Sequence, residues 1–214
     1  MYTPPHFRIE DRAEQFALIR ARPFGLLVTN GPGGLMANPV PFHLDEEKGV
    51  LRAHLARANP QWREADGSRE ALVVFQDVDA YVTPGWYATK RENGKVVPTW
   101  NYSAVHIYGA LRAVDDRDWL RALVGELTDH HEASRNAPWK VEDAPSDYID
   151  VMLRGIVGIE VEITRMEGKA KLSQNRSESD RAGVIAGLRG DGGETELRMA
   201  AQVEAARVEG ATKS

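Results

Sequence analysis

The stretch VGIEVEI, residues 157–163, alternates apolar residues with glycine and glutamate and gives the clearest strand signal in the chain. Such a period of two is typical of a half-buried β-strand, because successive side chains point to opposite faces of a sheet. The stretch VLRAHLA, residues 50–56, repeats the pattern, with its apolar residues alternating with Arg52 and His54. Both stretches therefore predict strands with one face in a core.

Further strands are predicted on both sides of these two, at residues 24–30, 35–44, 70–76 and 100–114. Two prolines in the second of these ranges indicate an edge strand or a bulge. Several of the six or seven strands follow one another through short turns, which favours antiparallel pairing over parallel strands with helical crossovers. We therefore predict a mainly antiparallel β fold with peripheral helices, closed into a small barrel because closure removes exposed sheet edges.

Helical spacing of apolar residues predicts helices outside this sheet. The first begins at Asp11 with an acidic cap and ends before Pro23. The others are expected at residues 117–131, 146–154, 177–188 and 194–208, the third of them capped by a serine.

Composition limits the classes of function. The 214 residues carry a net charge of −5 and no cysteine, which excludes disulfides, thiolate metal sites and a catalytic thiol. A surplus of Lys and Arg, the usual source of DNA affinity, is missing. No apolar run has the roughly 20 residues of a membrane span, so we expect a cytoplasmic protein.

Residues 81–109 concentrate aromatic rings, amides and a histidine around Asn93–Gly94, a pair of residues that predicts a hairpin turn. Aromatic faces stack on planar ligands and Asn amides bind the edges of heterocycles, so the segment suits a site for a flat ligand. The alternative is a core in which alternate rings point inward. The sequence does not decide which of these rings would contact a ligand and which would pack in the core.

Two other segments carry candidate ligand-binding groups. In residues 54–62, His54 is followed by Arg57, which could bind a phosphate through two hydrogen bonds, and by the amides of Asn59 and Gln61. The alternative is a solvated loop in which the asparagine caps a short helix. Residues 169–181 join basic side chains to a helix start that could bind an anion, or that is only capped and solvated. No metal-ligand motif, catalytic triad or dinucleotide-binding glycine motif is present.

Together and in this order, these segments resemble the PaiB family, a bacterial group described as FMN-binding negative transcriptional regulators. The resemblance runs nearly from end to end and is carried by residues 1–7 (MYTPPHF), 54–62 (HLARANPQW), 81–90 (YVTPGWYATK), 98–109 (PTWNYSAVHIYG) and 171–188 (KLSQNRSESDRAGVIAGL).

The resemblance implies an FMN-binding split barrel, a six-stranded antiparallel barrel that usually dimerises with the flavin at the subunit interface. Residues 1–170 would form the barrel domain with inserted helices, and residues 171–214 its C-terminal helical extension. By analogy with related flavoproteins, Arg57 would bind the FMN phosphate, with His54, Asn59 and Gln61 nearby. The same cleft, or its wall on the partner subunit, would be lined by Trp100, Asn101, Tyr102 and Lys171.

The family description further implies repression of sporulation and extracellular protease genes in bacilli. The net charge disfavours direct DNA binding and no helix-turn-helix is evident, while regulation through a ligand or a partner protein is compatible with the sequence. The sequence therefore predicts a homodimeric FMN-binding regulator without evident catalytic residues. The alternatives are a flavin-dependent oxidoreductase acting on a small molecule, and a protein that binds haem through His54 or His106.

Overall fold

The computed structural model describes residues 1–64 and 66–206. Its strands are β1 (Arg8–Ile9), β2 (Phe24–Gly31), β3 (Gly34–Pro41), β4 (His43–Asp45), β5 (Val50–Ala56), β6 (Asp66–Val82), β7 (Thr99–Val114), β8 (Ile156–Glu162) and β9 (Arg165–Lys171). Its α-helices are α1 (Arg12–Ala21), α2 (Ala88–Glu92), α3 (Arg117–Glu132), α4 (Ser146–Arg154), α5 (Glu178–Asp191) and α6 (Glu194–Ala205). No helix among the described residues combines the length and the apolar character that crossing a membrane requires.

The chain divides into two compact units. The first contains residues 1–15, residues 76–105 and the described residues from 167 onward, and the second contains residues 16–75 and 106–166. Strands β6 and β7 each supply residues to both units. The expected division at residue 170, between a barrel and a helical extension, stays a prediction.

In the second unit the strand order is β3-β2-β6-β7-β8-β5-β4. The two stretches with the clearest alternation pair with each other as β5 and β8, in antiparallel register, with Leu51 opposite Val161 and Ala53 opposite Ile159. All four side chains are fully buried, which explains the alternation. Strand β3 lies at one end of the order, as its prolines predicted.

Helices α3 and α4 belong to the same unit. Asp116 caps α3 by accepting a hydrogen bond of 2.7 Å from the backbone N–H of Trp119. Leu120, at helical spacing on α3, packs with Ile149 and Leu153 of α4 in a small apolar cluster. These helices occupy the residues that the helical spacing predicted.

In the first unit β1 pairs with β9, and β9 pairs with β7. Helix α5 begins as predicted, because Ser177 accepts a hydrogen bond from the backbone N–H of Asp180. The buried Asp180 carboxylate accepts hydrogen bonds of 2.9 Å from the backbone N–H and the hydroxyl of Thr89. This carboxylate therefore fixes α5 against α2.

The mainly antiparallel class with peripheral helices is confirmed, while two details of the prediction are wrong. The described residues form nine strands rather than six or seven, partly because the polar β9 has no clear alternation. Residues 81–109 do not form a hairpin about Asn93–Gly94. The connection contains a 3₁₀ turn at Pro84–Trp86 and helix α2, and Asn93 ends that helix. The predicted last helix ran to residue 208, and residues 207 and 208 lie outside the described residues.

Candidate functional site

The segment that follows β5 is a tight turn stabilised by its own polar groups. The backbone N–H of Asn59 donates to the carbonyl of Ala56 at 2.8 Å. The Asn59 side chain accepts a hydrogen bond of 3.0 Å from the backbone N–H of Gln61, at the start of the 3₁₀ helix Pro60–Glu64. The capping role that the sequence allowed for Asn59 is thus present.

Arg57 is held by groups of the second unit. Its guanidinium makes a bidentate ion pair with Asp115, with N–O distances of 2.6 and 2.9 Å. It also donates to the backbone carbonyls of Arg154 and Ile156, at 2.9 and 3.0 Å. The hydrogen bond from Arg57 holds the pKa of Asp115 below its ordinary value. Four hydrogen bonds of the guanidinium therefore go to the protein itself.

Gln61 is fully buried, and its amide links two strands to the turn. The Nε2 group donates to the carbonyl of Leu27 and to the hydroxyl of Thr29, both at 3.2 Å. The Oε1 atom accepts a hydrogen bond of 2.9 Å from Asn38. Gln61 therefore satisfies polar groups of β2 and β3.

His54, on β5, differs from these side chains because one of its polar atoms has no hydrogen-bond partner in the described part of the chain. Its Nδ1 atom is buried and has no hydrogen-bond partner among the described residues. Burial lowers the pKa of its imidazole below the ordinary 6.5, so the ring is neutral at neutral pH.

The first unit contains a cluster of cations around Lys171, the last residue of β9. The Lys171 ammonium donates to the hydroxyl of Thr99 and, at 2.6 Å, to the carbonyl of Trp100. Its pKa is lowered, first by burial and then by the positive charges of Lys169 and Arg176. Among the described residues, none of these three cations is paired with a carboxylate.

The turn after β9 is rigid and strained. Ser173 has a φ of 62°, in the left-handed region that residues other than glycine rarely adopt. The buried Asn101 amide donates to the Ser173 hydroxyl at 3.0 Å. Gln174 braces the turn by accepting from the backbone N–H of Leu172 at 2.7 Å and donating to the carbonyl of Ala170 at 2.6 Å. Strain of this kind tends to occur at functional sites.

A cavity of about 50 Å³ opens inside this cluster. That volume exceeds the roughly 10–15 Å³ that a single water needs, so the cavity has room for more than one water molecule. Tyr87 forms one wall and is 1% exposed, and the Arg176 guanidinium lies 4.7 Å from the centre of its ring. The full lining is Tyr87, Thr99, Asn101, Lys171, Ser173, Asn175 and Arg176.

The aromatic residues of the first unit separate into core and surface groups. Tyr87 belongs to the apolar core, while Trp100 is 53% exposed and packs edge-to-face on the half-exposed Tyr81, with ring centres 5.8 Å apart. The ring of Tyr102 lies 5.0 Å from the Lys169 ammonium. The Trp100 ring is therefore accessible to solvent, while its backbone carbonyl contacts the Lys171 ammonium.

The eight residues predicted from the sequence divide evenly between the units. His54, Arg57, Asn59 and Gln61 lie in the second unit, and Trp100, Asn101, Tyr102 and Lys171 lie in the first. Neither their contact with a cofactor nor the shared cleft is tested by these positions, and both stay predictions. The prediction omitted Thr99, Ser173 and Arg176, although the last two lie in the basic segment that the sequence singled out. No described group of three or more acidic or histidine residues is arranged to hold a metal.

Comparison with known proteins places these features in a family. The family described as "Putative FMN-binding domain" matches residues 1–165. "Protease synthase and sporulation protein PAI 2" of Bacillus subtilis is 32% identical over 206 residues, which cover 95% of this chain and 97% of that protein.

Solved structures are similar in fold. The FAD and haem binding protein of Mycobacterium smegmatis has a TM-score of 0.58 at 16% identity, covering 77% of this chain and 73% of its own. The flavocytochrome Anf3 of Azotobacter vinelandii has a TM-score of 0.57 at 14% identity, covering 82% and 75%. At such identities the likeness shows the fold alone, and it agrees with the split-barrel class expected from the sequence. The family match and the Bacillus relative, each extending over most of the sequence, show that this chain belongs to the PaiB family of FMN-binding-domain proteins.

Proposed function

We propose that this chain binds FMN and serves as a flavin-dependent regulatory protein. The observation that carries the proposal is the group of three cations around Lys171, which among the described residues lacks carboxylate partners. A phosphate would accept charge-assisted hydrogen bonds from these donors and relieve their mutual repulsion. The residues present therefore fit the anionic end of FMN.

Each side chain of the cluster has a separate role in the proposal. Lys171 and Arg176 bind phosphate oxygens, while Asn101 holds Ser173 in the strained turn that shapes the cavity. Trp100 offers a ring face to the flat part of the ligand. When bound, FMN supplies hydride and electron transfer, and the protein supplies binding and orientation.

The segment after β5 remains the cofactor contact that the family analogy implies. His54, Asn59 and Gln61 would lie beside FMN by family analogy, and Arg57 would bind its phosphate. Because the Arg57 guanidinium is bonded to Asp115 and to two carbonyls, it would have to exchange some of these bonds for phosphate oxygens. The Lys171 cluster requires no such exchange of ion pairs.

The test compares FMN with riboflavin, which lacks the phosphate, in titrations of the wild type and Lys171→Met. We expect the substitution to weaken FMN by about 10- to 100-fold, since a charge-assisted hydrogen bond contributes about 1.5–3 kcal/mol. Riboflavin affinity should stay nearly constant. Lys95→Met is the matched control, because Lys95 is exposed and outside the cluster.

An equal loss for FMN and riboflavin would remove the phosphate role of Lys171. The absence of any flavin absorbance in the purified protein, combined with no saturable FMN binding at micromolar concentrations, would overturn the cofactor proposal. A haem spectrum in place of a flavin spectrum would favour the tetrapyrrole alternative.

The proposed regulatory role acts through a ligand or a partner protein rather than through direct contact with DNA. The net charge of −5 supports this, because phosphate backbones attract proteins with surplus Lys and Arg. A salt-sensitive shift of promoter DNA at nanomolar protein would contradict it. Turnover of NAD(P)H by the flavin-loaded protein would favour the oxidoreductase alternative. A cytoplasmic location stays a prediction from the sequence.

A homodimer is part of the proposal, and one surface of the second unit supports it. On strands β2 and β3 the residues opposite one another alternate between faces, so that Phe24 and Leu26 share the outer face with Pro39 and Leu35. Phe24, Leu26 and Leu35 are 65, 39 and 78% exposed. On β6, Val74 lies opposite Leu26 and continues this face. Exposed antiparallel sheets normally carry polar residues outside, so an apolar outer face indicates a covering partner.

A second copy of the chain suits this outer face. In a two-fold dimer the same patch meets itself, and its apolar side chains do so without repulsion. Leu26→Glu should shift the protein from dimer to monomer in light scattering, because it places like charges opposite each other. Leu197→Glu, an equally exposed leucine on α6, should leave the mass unchanged. A monomeric wild type at micromolar concentration would contradict the dimer.

A further inference from the structure

A second cavity lies entirely within the second unit and is not needed for the proposed phosphate site. Its volume is about 310 Å³, at the lower end of the roughly 300–1,000 Å³ of small-molecule sites. Pro41, Val124 and Leu127 give it an apolar floor between β3 and α3. A cavity of this size and lining suits a small organic molecule.

Three rings surround this floor. His54 and His131 line the cavity together with Trp139, which is 45% exposed. The backbone N–H of Trp139 donates to Glu132 at 3.0 Å, and this bond ties the segment of Trp139 to the end of α3. Planar side chains at the rim of an apolar cavity favour a planar ligand, because offset and edge-to-face ring packing is favourable.

The polar groups narrow the class of ligand further. His54 lines the cavity, and its Nδ1 atom is buried without a hydrogen-bond partner among the described residues, so the ring retains hydrogen-bonding capacity that a ligand can use. Because the neutral ring offers either a donor or an acceptor, it selects a ligand with a polar ring atom rather than a hydrocarbon. Glu132, which also lines the cavity, disfavours an anion.

We propose that this cavity binds an uncharged nitrogen heteroaromatic molecule of one or two rings, with a hydrogen bond to His54. The molecule would be an effector or substrate that binds in addition to the flavin. The inference rests on the geometry of the second unit and does not depend on the Lys171 cluster.

The experiment uses benzimidazole as the probe and indene as its apolar counterpart of similar shape. Binding is measured by ligand-observed NMR titration of the full chain, with and without saturating FMN. We expect saturable benzimidazole binding that is several-fold tighter than indene binding, because a net hydrogen bond contributes about 0.5–1.5 kcal/mol. Saturating FMN should not displace benzimidazole from the cavity.

Thr128→Trp fills the cavity from the partly exposed side of α3 and should abolish benzimidazole binding while leaving FMN binding intact. Asp129→Trp places the same ring on the adjacent exposed position and should have no effect. If Thr128→Trp does not fold, Trp139→Ala serves instead, because it removes an exposed wall and should weaken benzimidazole severalfold.

Three outcomes would overturn the proposal. The first is the absence of saturable benzimidazole binding, and the second is equal binding of benzimidazole and indene. The third is displacement of benzimidazole by FMN, which would assign the cavity to the cofactor. Loss of FMN binding in Lys171→Met alone would leave this proposal standing, so failure of the two proposals is distinguishable.

Discussion

The two candidate binding segments, residues 54–62 and 169–181, each contain a cation that the sequence marked as a ligand-binding group. Arg57 lies in the second unit and Lys171 in the first, and their surroundings differ. Arg57 is compensated by a bidentate carboxylate and bonded to two carbonyls. Lys171 is half-buried beside Lys169 and Arg176, and burial together with these charges lowers its pKa. Arg57 has a carboxylate counter-ion, whereas Lys171 donates only to neutral groups, the Thr99 hydroxyl and the Trp100 carbonyl, and lies beside two further cations.

A cation that lacks a counter-ion is the better candidate for binding an anionic ligand. A cation that already has a carboxylate counter-ion stabilises the fold, and an added anion gains little from it. Cations held together without a counter-ion cost free energy in the absence of a ligand, and an anion relieves that cost. By this criterion the Lys171 cluster is the stronger candidate for a phosphate.

The largest effect is expected at Gln61, in the segment that follows β5. Because its buried amide satisfies Asn38, Thr29 and the carbonyl of Leu27, we expect Gln61→Leu to lower the free energy of unfolding by about 2–4 kcal/mol. Urea denaturation measures the loss. Gln76→Leu, at an exposed glutamine on β6, should change stability by less than about 0.5 kcal/mol. A stable Gln61→Leu protein with selectively weakened FMN binding would instead make Gln61 a cofactor ligand.

The strands of the second unit could be predicted where burial is one-sided. In β5 and β8 a single face is in the core, so the alternation of Leu51 or Val161 with polar neighbours can be read directly. Strand β9 could not be predicted, because Gly168 and the buried Lys169 depart from any apolar alternation. The hairpin was wrong because the Asn93–Gly94 turn ends a short helix, and only tertiary contacts such as that of Thr89 with Asp180 reveal this.

The sequence identifies which residue types could bind an anion, but it does not identify the groups to which each of these side chains is bonded in the fold. The sequence marks Arg57 and Lys171 equally as anion-binding groups. It cannot reveal that Asp115, far along the chain, compensates one of them. The same limit applies to Trp100 and Tyr87, whose exposure depends on the packing of β7 and α5 rather than on local pattern.

FMN binding at the Lys171 cluster should also depend on pH. Only the protonated Lys171 attracts a phosphate, and its pKa lies below the ordinary 10.5. FMN affinity should therefore fall as the pH rises through this lowered pKa, by about tenfold per pH unit at most. The unfolded chain binds more protons in the same range, so the ligand-free protein should become more stable as the pH rises there.

Fluorescence titration of FMN and riboflavin across alkaline pH measures the effect. Riboflavin binding should stay flat, and Lys171→Met should flatten the FMN curve. An FMN curve of unchanged shape in Lys171→Met would assign the titration to another group.

The smallest effect is expected at Arg57. Arg57→Lys keeps the charge but loses the bidentate geometry toward Asp115, so it should lower the melting temperature slightly. The ratio of FMN to riboflavin affinity should change by less than about threefold. A fall in this ratio comparable to that of Lys171→Met would make Arg57 the phosphate ligand that the family analogy implies.

Asp115→Asn distinguishes two roles for Arg57, which are binding the FMN phosphate and holding the turn after β5. Removing the carboxylate leaves the guanidinium uncompensated, while the carbonyls of Arg154 and Ile156 still hold it. If Arg57 is within reach of the bound phosphate, FMN should bind more tightly to Asp115→Asn than to the wild type, and riboflavin should not. If Arg57 only holds the turn after β5, both ligands should bind as before, because a freed charge that no ligand contacts is screened by water and salt.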